Sequence, residues 1–153
     1  MVAWNSSSSL NKMQNILVIS EDEEMLNLWT TFFKEKNYQV ISEGDVTSSL
    51  QTSRLLTPAL IILDVSTRLN TSLDLPPNER LEFCRSLRST TSGTLLLLAP
   101  QNSEVEISDY YQAGVDEFIA TPANPMAVLI KSITWLARQE WIVPRKEVVQ
   151  MYM

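Results

Sequence analysis

The chain has 153 residues, 44% of them apolar and 20% charged, with a formal net charge of −6. That length suits one domain and that composition an ordinary globular protein. Clustered Lys and Arg are missing, which argues against nucleic acid as a direct ligand. With no histidine at all, Ser-His and Cys-His catalysis lose their base and zinc loses a usual ligand. The single cysteine, Cys84, rules out an internal disulfide and fits a reducing cytoplasm. No apolar run approaches the ~20 residues of a membrane helix. The opening MVAWNSSSSLNKMQ has no apolar core of a secretory signal. Residues 1–13 read as a flexible, Ser-rich lead-in, 14–140 as the folded domain and 141–153 as a C-terminal tail with no assigned structure.

Short apolar runs alternate with helical patterns along the chain, the mark of a parallel α/β sheet. NILVIS (15–20) is the first strand. A helix follows near 22–36, with Met25, Leu28, Trp29, Phe32 and Phe33 spaced along one face. YQVIS (38–42) is the second strand, and a weaker Ser/Thr-rich helix runs from about Asp45 to Leu56. LIILDVS (60–66) carries the third strand into Asp64. The loop 65–78 is long for its kind and stiffened by Pro76 and Pro77. Next come a helix at about 79–89, on which Cys84 faces the core with nothing basic beside it, and a fourth strand, TLLLL (94–98). Ser103 and Glu106 form a capping box for a helix that Gly114 stops. EFIA (117–120) is the fifth strand. Asn124 and Pro125 open the last helix, with Met126, Leu129, Ile130, Ile133 and Leu136 directed inward. Trp135 and Trp141 are placed between edge packing and an exposed partner surface.

Five strands in strict alternation with helices leave an open doubly wound sheet as the leading topology. Ligands of such sheets bind beyond the carboxyl ends of the strands. There stand Ser20, Glu21 and Asp22 after strand one, Asp64 after strand three, Ala99 after strand four and Thr121 after strand five. Converging carboxylates point to a hard cation such as Mg²⁺; solvated loop acids are the plain alternative.

Four blocks in order, ILVISEDEEML, LIILDVS, RLEFCRSLR and AGVDEFIATPANP, resemble the response-regulator receiver domain of two-component signalling over residues 15 to 138. The resemblance implies a flavodoxin-like, five-stranded parallel sheet of order 2-1-3-4-5 with helices on both faces. It gives Asp64 the phosphoacceptor position, Glu21 one of two metal-binding acids, and the Ser66 carbonyl a third metal ligand. The other acid position holds Ser20, with Asp22 near enough to reach a metal through water. Three switch positions follow: Ala99 replaces a hydroxyl, Thr121 replaces a lysine, and Phe118 takes the place of a mobile aromatic. A cis Thr121–Pro122 bond is implied as well. An atypical receiver is therefore expected, a non-enzymatic cytoplasmic module of a phosphorelay with weak Mg²⁺ binding. Its expected partner is a sensor kinase or downstream effector protein, not nucleic acid or membrane, with a homodimer through the fourth helix, fifth strand and fifth helix in view. No effector domain is expected after the last helix. The alternatives are a working phospho-aspartate switch of weakened chemistry, a flavodoxin-like small-ligand module, and a metal-dependent phosphatase, which Ser66 in place of a second acid disfavours.

Overall fold

A computed structural model describes residues 14–65, 72–101 and 105–151, the last twelve of these as backbone only. The lead-in 1–13 and Ser66 lie outside the described residues. The strands are β1 (Asn15–Ile19), β2 (Gln39–Glu43), β3 (Leu60–Asp64), β4 (Thr94–Ala99) and β5 (Glu117–Ala120). All pair in parallel, in the order β2-β1-β3-β4-β5. This is the expected doubly wound, flavodoxin-like fold. The helices are α1 (Glu23–Glu35), α2 (Val46–Leu56), α3 (Pro77–Arg88), α4 (Ile107–Gln112) and α5 (Pro125–Met151).

Every residue of β3 and β4 is buried. The pleat sends alternate side chains to opposite faces, so the sheet carries two cores. Leu17, Ile19, Ile61, Leu63, Leu95 and Leu97 meet Phe83, Cys84, Leu87 and Tyr110 of α3 and α4 on one face. Ile16, Val18, Leu60, Ile62, Leu96 and Leu98 meet Trp29 and Phe33 of α1 and Val128, Leu129 and Leu136 of α5 on the other.

Several helix details differ from the sequence reading. Leu28 is 39% exposed, whereas Leu26 packs against the core. Met126 and Ile130 are 51% and 64% exposed. Val128 takes the inward place, beside a buried Ser132 whose hydroxyl donates to the Val128 carbonyl at 2.8 Å. Apolar residues exceed the arc that a surface helix can bury, so type alone does not fix which of them turn inward. α4 starts at Ile107, with Glu106 as its cap residue rather than its third; the Asp109 carboxylate accepts the Glu106 N–H at 3.1 Å. Ser103 lies outside the described residues. The remaining caps follow the sequence. Asp45 accepts the Ser48 N–H at 2.7 Å, and Asn124 accepts the Met126 N–H at 2.8 Å.

Cys84 is fully buried, as expected, but it does have basic neighbours in Arg80 and Arg85. Burial pushes its thiol up to about 12, and the two arginines offset this only in part. Reactivity follows the thiolate. Cys84 should therefore resist a disulfide labelling reagent at mildly alkaline pH in the native protein and react at once in guanidinium. Rapid native labelling would show that α3 opens easily.

Candidate functional site

The carboxyl ends of β1, β3, β4 and β5 meet at one rim of the sheet. Asp64 is the last residue of β3, paired in register with Leu98, and is only 2% exposed. Ser20, the residue after β1, is equally buried and donates its hydroxyl to Asp64 Oδ2 at 2.8 Å. The same Ser20 oxygen accepts the Asp22 N–H at 3.0 Å. A backbone amide, a neutral hydroxyl and the Asp64 carboxylate thus stand in series. A hydrogen bond to a charged group contributes ~1.5–3 kcal/mol, so Ser20 is the polar partner the sequence reading missed. In the sequence Ser20 stands only where an acid is expected; its role as a donor is visible once β1 and β3 are neighbours.

The other acids each have partners of their own. Glu21 turns toward the segment after β3, where its Oε1 accepts the Leu73 N–H at 2.9 Å. Asp22 is the N-cap of α1 and accepts from the N–H groups of Glu24 and Met25 at 3.0 and 3.2 Å. Asp before a helical run is itself an N-cap signal.

The switch positions lie nearby. Ala99 is fully buried at the end of β4, and its carbonyl accepts the Thr121 N–H at 3.1 Å. The Thr121–Pro122 bond is cis. Phe118 is half-buried and stacks on Tyr110 with ring centroids 5.5 Å apart, while its N–H donates to the Tyr111 hydroxyl at 3.0 Å. β5 and α5 are joined through Glu117, which takes hydrogen bonds from Lys131 and from Trp135 Nε1. Burial would raise the Glu117 carboxyl, but Lys131, Trp135 and Arg138 together hold it below its ordinary value. Trp135 is half-buried with Arg138 stacked over its ring; the Trp141 side chain lies outside what is described.

Asp64, Asp22 and Thr121 come together in the lining of a pocket of about 570 Å³ between the strand ends, α1 and the start of α5. Glu21, Ala99 and Phe118 are not part of that lining. Among the described residues no Lys or Arg lines it either. Its wall includes Trp29, whose buried indole N–H has no acceptor among the described residues. On the opposite face, buried Arg80 donates to the Tyr110 hydroxyl and the Leu75 carbonyl, each at 3.2 Å.

Relatives in sequence and in structure share this fold. The DNA-binding response regulator MtrA of Mycobacterium tuberculosis is 25% identical over 127 residues, 83% of this chain and 52% of MtrA. The circadian input-output histidine kinase CikA of Synechocystis is 31% identical over 115 residues, 75% of this chain and 14% of CikA. A CheY-like receiver domain from Methanospirillum hungatei superposes with a TM-score of 0.67 at 18% identity, covering 84% of this chain and 98% of that one. The chain contains a response-regulator receiver domain. No family model matches it. It spans about half the length of MtrA and far less of CikA.

Receiver domains typically hold Mg²⁺ beside the phosphorylation site. Mg²⁺ is bound through one or two carboxylates in near-octahedral oxygen geometry. The described residues of this receiver do not fit that requirement: Glu21 is engaged by Leu73, Asp22 by α1, and Ser20 supplies a hydroxyl where a second acid is expected. No cluster of three or more acidic or other metal-ligating side chains occurs among the described residues. Nor is any helix among them long and apolar enough to cross a membrane.

Proposed function

We propose that this receiver is an atypical one, a cytoplasmic phosphorelay module that acts through protein–protein contact and performs no catalytic turnover of its own. Asp64 keeps the acceptor position, while the apparatus that would report its phosphorylation is reduced. One observation carries this reading: the Asp64 carboxylate is buried against a neutral Ser20 hydroxyl, at the position where the resemblance places a second acid. Phosphoryl groups on aspartate are stabilised by cations and donors placed at their oxygens. Ala99 offers no side-chain donor, and Thr121 offers a short neutral group in place of a long cation. A ligand moves an equilibrium only through contacts that differ between its two states. Phosphorylation at Asp64 would thus have little hold on Phe118, which is already stacked on Tyr110.

Output passes to a protein partner, a sensor kinase or an effector. The exposed Met126 and Ile130 on α5 and Tyr111 on α4 flank the face that could pair two copies.

Acetyl phosphate with Mg²⁺ followed by intact-mass measurement tests the acceptor. Any added phosphoryl mass is expected to be slow to appear and to vanish in Asp64→Asn. Amide NMR shifts around Phe118 should not change with beryllofluoride. Fast stoichiometric phosphorylation with a large response at Phe118 would instead establish a working switch.

A further inference from the structure

Asp64 and the residues that frame it leave one buried feature without a role. Arg80, in the first turn of α3, is 7% exposed, and its guanidinium joins two parts of the chain far apart in sequence. One nitrogen donates to the Tyr110 hydroxyl and another to the Leu75 carbonyl, each at 3.2 Å. Contacts continue from both. Leu75 donates its N–H to the Leu73 carbonyl at 2.9 Å, and the Leu73 N–H is held by the Glu21 carboxylate at 2.9 Å. Leu73 is buried, while Ser72, Asp74 and Pro76 alongside it are exposed, so the segment is open to contact from outside. Tyr110 lies nearly flat on Phe118, with 13° between the rings. The series Glu21, Leu73, Leu75, Arg80, Tyr110 and Phe118 thus runs from the rim of the sheet to the α4–β5 surface, and it includes neither Asp64, Ala99 nor Thr121.

A series of contacts transmits a change only if one of its members has two distinct arrangements. Arg80 meets that condition. It cannot give up its proton, and a buried cation that loses an acceptor does not stay in place at small cost. If the Leu75 carbonyl withdraws, the guanidinium must follow it or turn, and either move changes its hold on the Tyr110 hydroxyl. Tyr110 is 1% exposed in a close-packed interior, so its ring carries Phe118 with it. We propose that residues 73–75 are a second input to the Phe118 surface: detaching Leu73 from Glu21 is read at Phe118 through Arg80 and Tyr110, whether or not Asp64 is phosphorylated. Glu21 and Arg80 are positioning residues in this scheme, the one holding the segment docked and the other reporting that it is.

The test uses the full chain, its amide ¹H–¹⁵N spectra and hydrogen exchange at Leu73. Glu21→Ala removes the acceptor. Exchange at Leu73 should quicken by about tenfold or more, and the amides of residues 73–75 and of Phe118 should all shift. Glu21→Gln keeps a carbonyl oxygen and should restore both the protection of Leu73 and the parent position of Phe118. Tyr110→Phe keeps the ring and removes the hydroxyl. Combined with Glu21→Ala, it should leave the changes at 73–75 in place and abolish the further shift at Phe118, a non-additivity that a merely structural role would not produce. Arg80→Met should uncouple the two ends in the same way, and Tyr110→Phe covers the case in which that variant does not fold. Asp64→Asn should leave the response to Glu21→Ala intact, which separates this input from the acceptor chemistry. The proposal is overturned if Glu21→Ala alters 73–75 and leaves Phe118 unmoved, or if Phe118 still responds in the Tyr110→Phe background. It fails equally if Asp64→Asn abolishes the response, or if Phe118 moves in Glu21→Gln while Leu73 stays protected.

Discussion

Ser20→Asp should destabilise the metal-free protein by about 3 kcal/mol and make its stability depend on Mg²⁺. The Ser20 hydroxyl lies 2.8 Å from Asp64 Oδ2, and both residues are 2% exposed. A second carboxylate there replaces a donor with a like charge, and two such groups that close cannot both ionise without a cation. One of them must hold a proton in the native state that the unfolded chain releases. Its folded pKa is then raised, so in chelator the deficit grows as pH climbs from the ordinary carboxylate range toward neutrality. Mg²⁺ reverses the sign of the interaction, and a hundredfold excess over the dissociation constant returns ~2.7 kcal/mol. Calorimetry in EDTA and in millimolar Mg²⁺ should show the variant melting about 6–12 °C low without metal and recovering most of that with it. The parent should respond little. If Mg²⁺ stabilises the parent as strongly, Glu21 must leave Leu73 and the cation site is intact without a second acid.

Gly93→Ala should lower stability by about 3 kcal/mol, through backbone collision and not through lost conformational freedom. A β-carbon at Gly93 would lie 2.2 Å from the Pro58 carbonyl oxygen and 2.7 Å from the Ala59 carbonyl. Neither is the tip of a flexible side chain, so relief requires the start of β4 to move away from the start of β3. That junction is also fixed by Thr91, whose hydroxyl donates to the Pro58 carbonyl at 2.7 Å, and by Arg88, which donates to the Thr91 and Gly93 carbonyls. A urea titration should show a lower midpoint with an unchanged slope. A shift under about 1 kcal/mol would mean that the junction yields more easily than its hydrogen bonds suggest.

The sheet was legible in the sequence because its strands are short, wholly apolar runs between turn formers. β3 and β4 are buried throughout, and composition is enough to find such strands. Asp64 at the end of β3 was legible for the same reason: a carboxylate following LIIL has only the rim to occupy. Helix faces were less so. Leu28, Met126 and Ile130 are as apolar as the neighbours that turn inward, and only the angle at which α1 and α5 lie on the sheet decides among them. The links around Asp64 were hidden because they join residues far apart in the chain. Ser20 reaches Asp64 across 44 positions and Glu21 reaches Leu73 across 52. Spacing suggests that acids converge, but not whether a backbone amide reaches them first. Asp22 had a local signal, its place just before a helical run, and that signal names the job it performs.

The length of α5 has a mechanical consequence. Its 27 residues span about 40 Å, against about 17 Å for a five-residue strand. Asn124 fixes its first turn beside the pocket, and Gln139 fixes it again at the far edge of the sheet, donating to the Ala59 carbonyl at 2.9 Å and the Thr94 hydroxyl at 2.6 Å. The backbone remains helical beyond Gln139 to Met151, an arm of roughly 18 Å past the last of these fixings. Each degree of tilt about Gln139 would sweep the end of that arm by about 0.3 Å. Pro144, however, stands within that arm and supplies no N–H to its hydrogen-bond ladder, so a tilt about Gln139 would be carried stiffly only over the first turn beyond it.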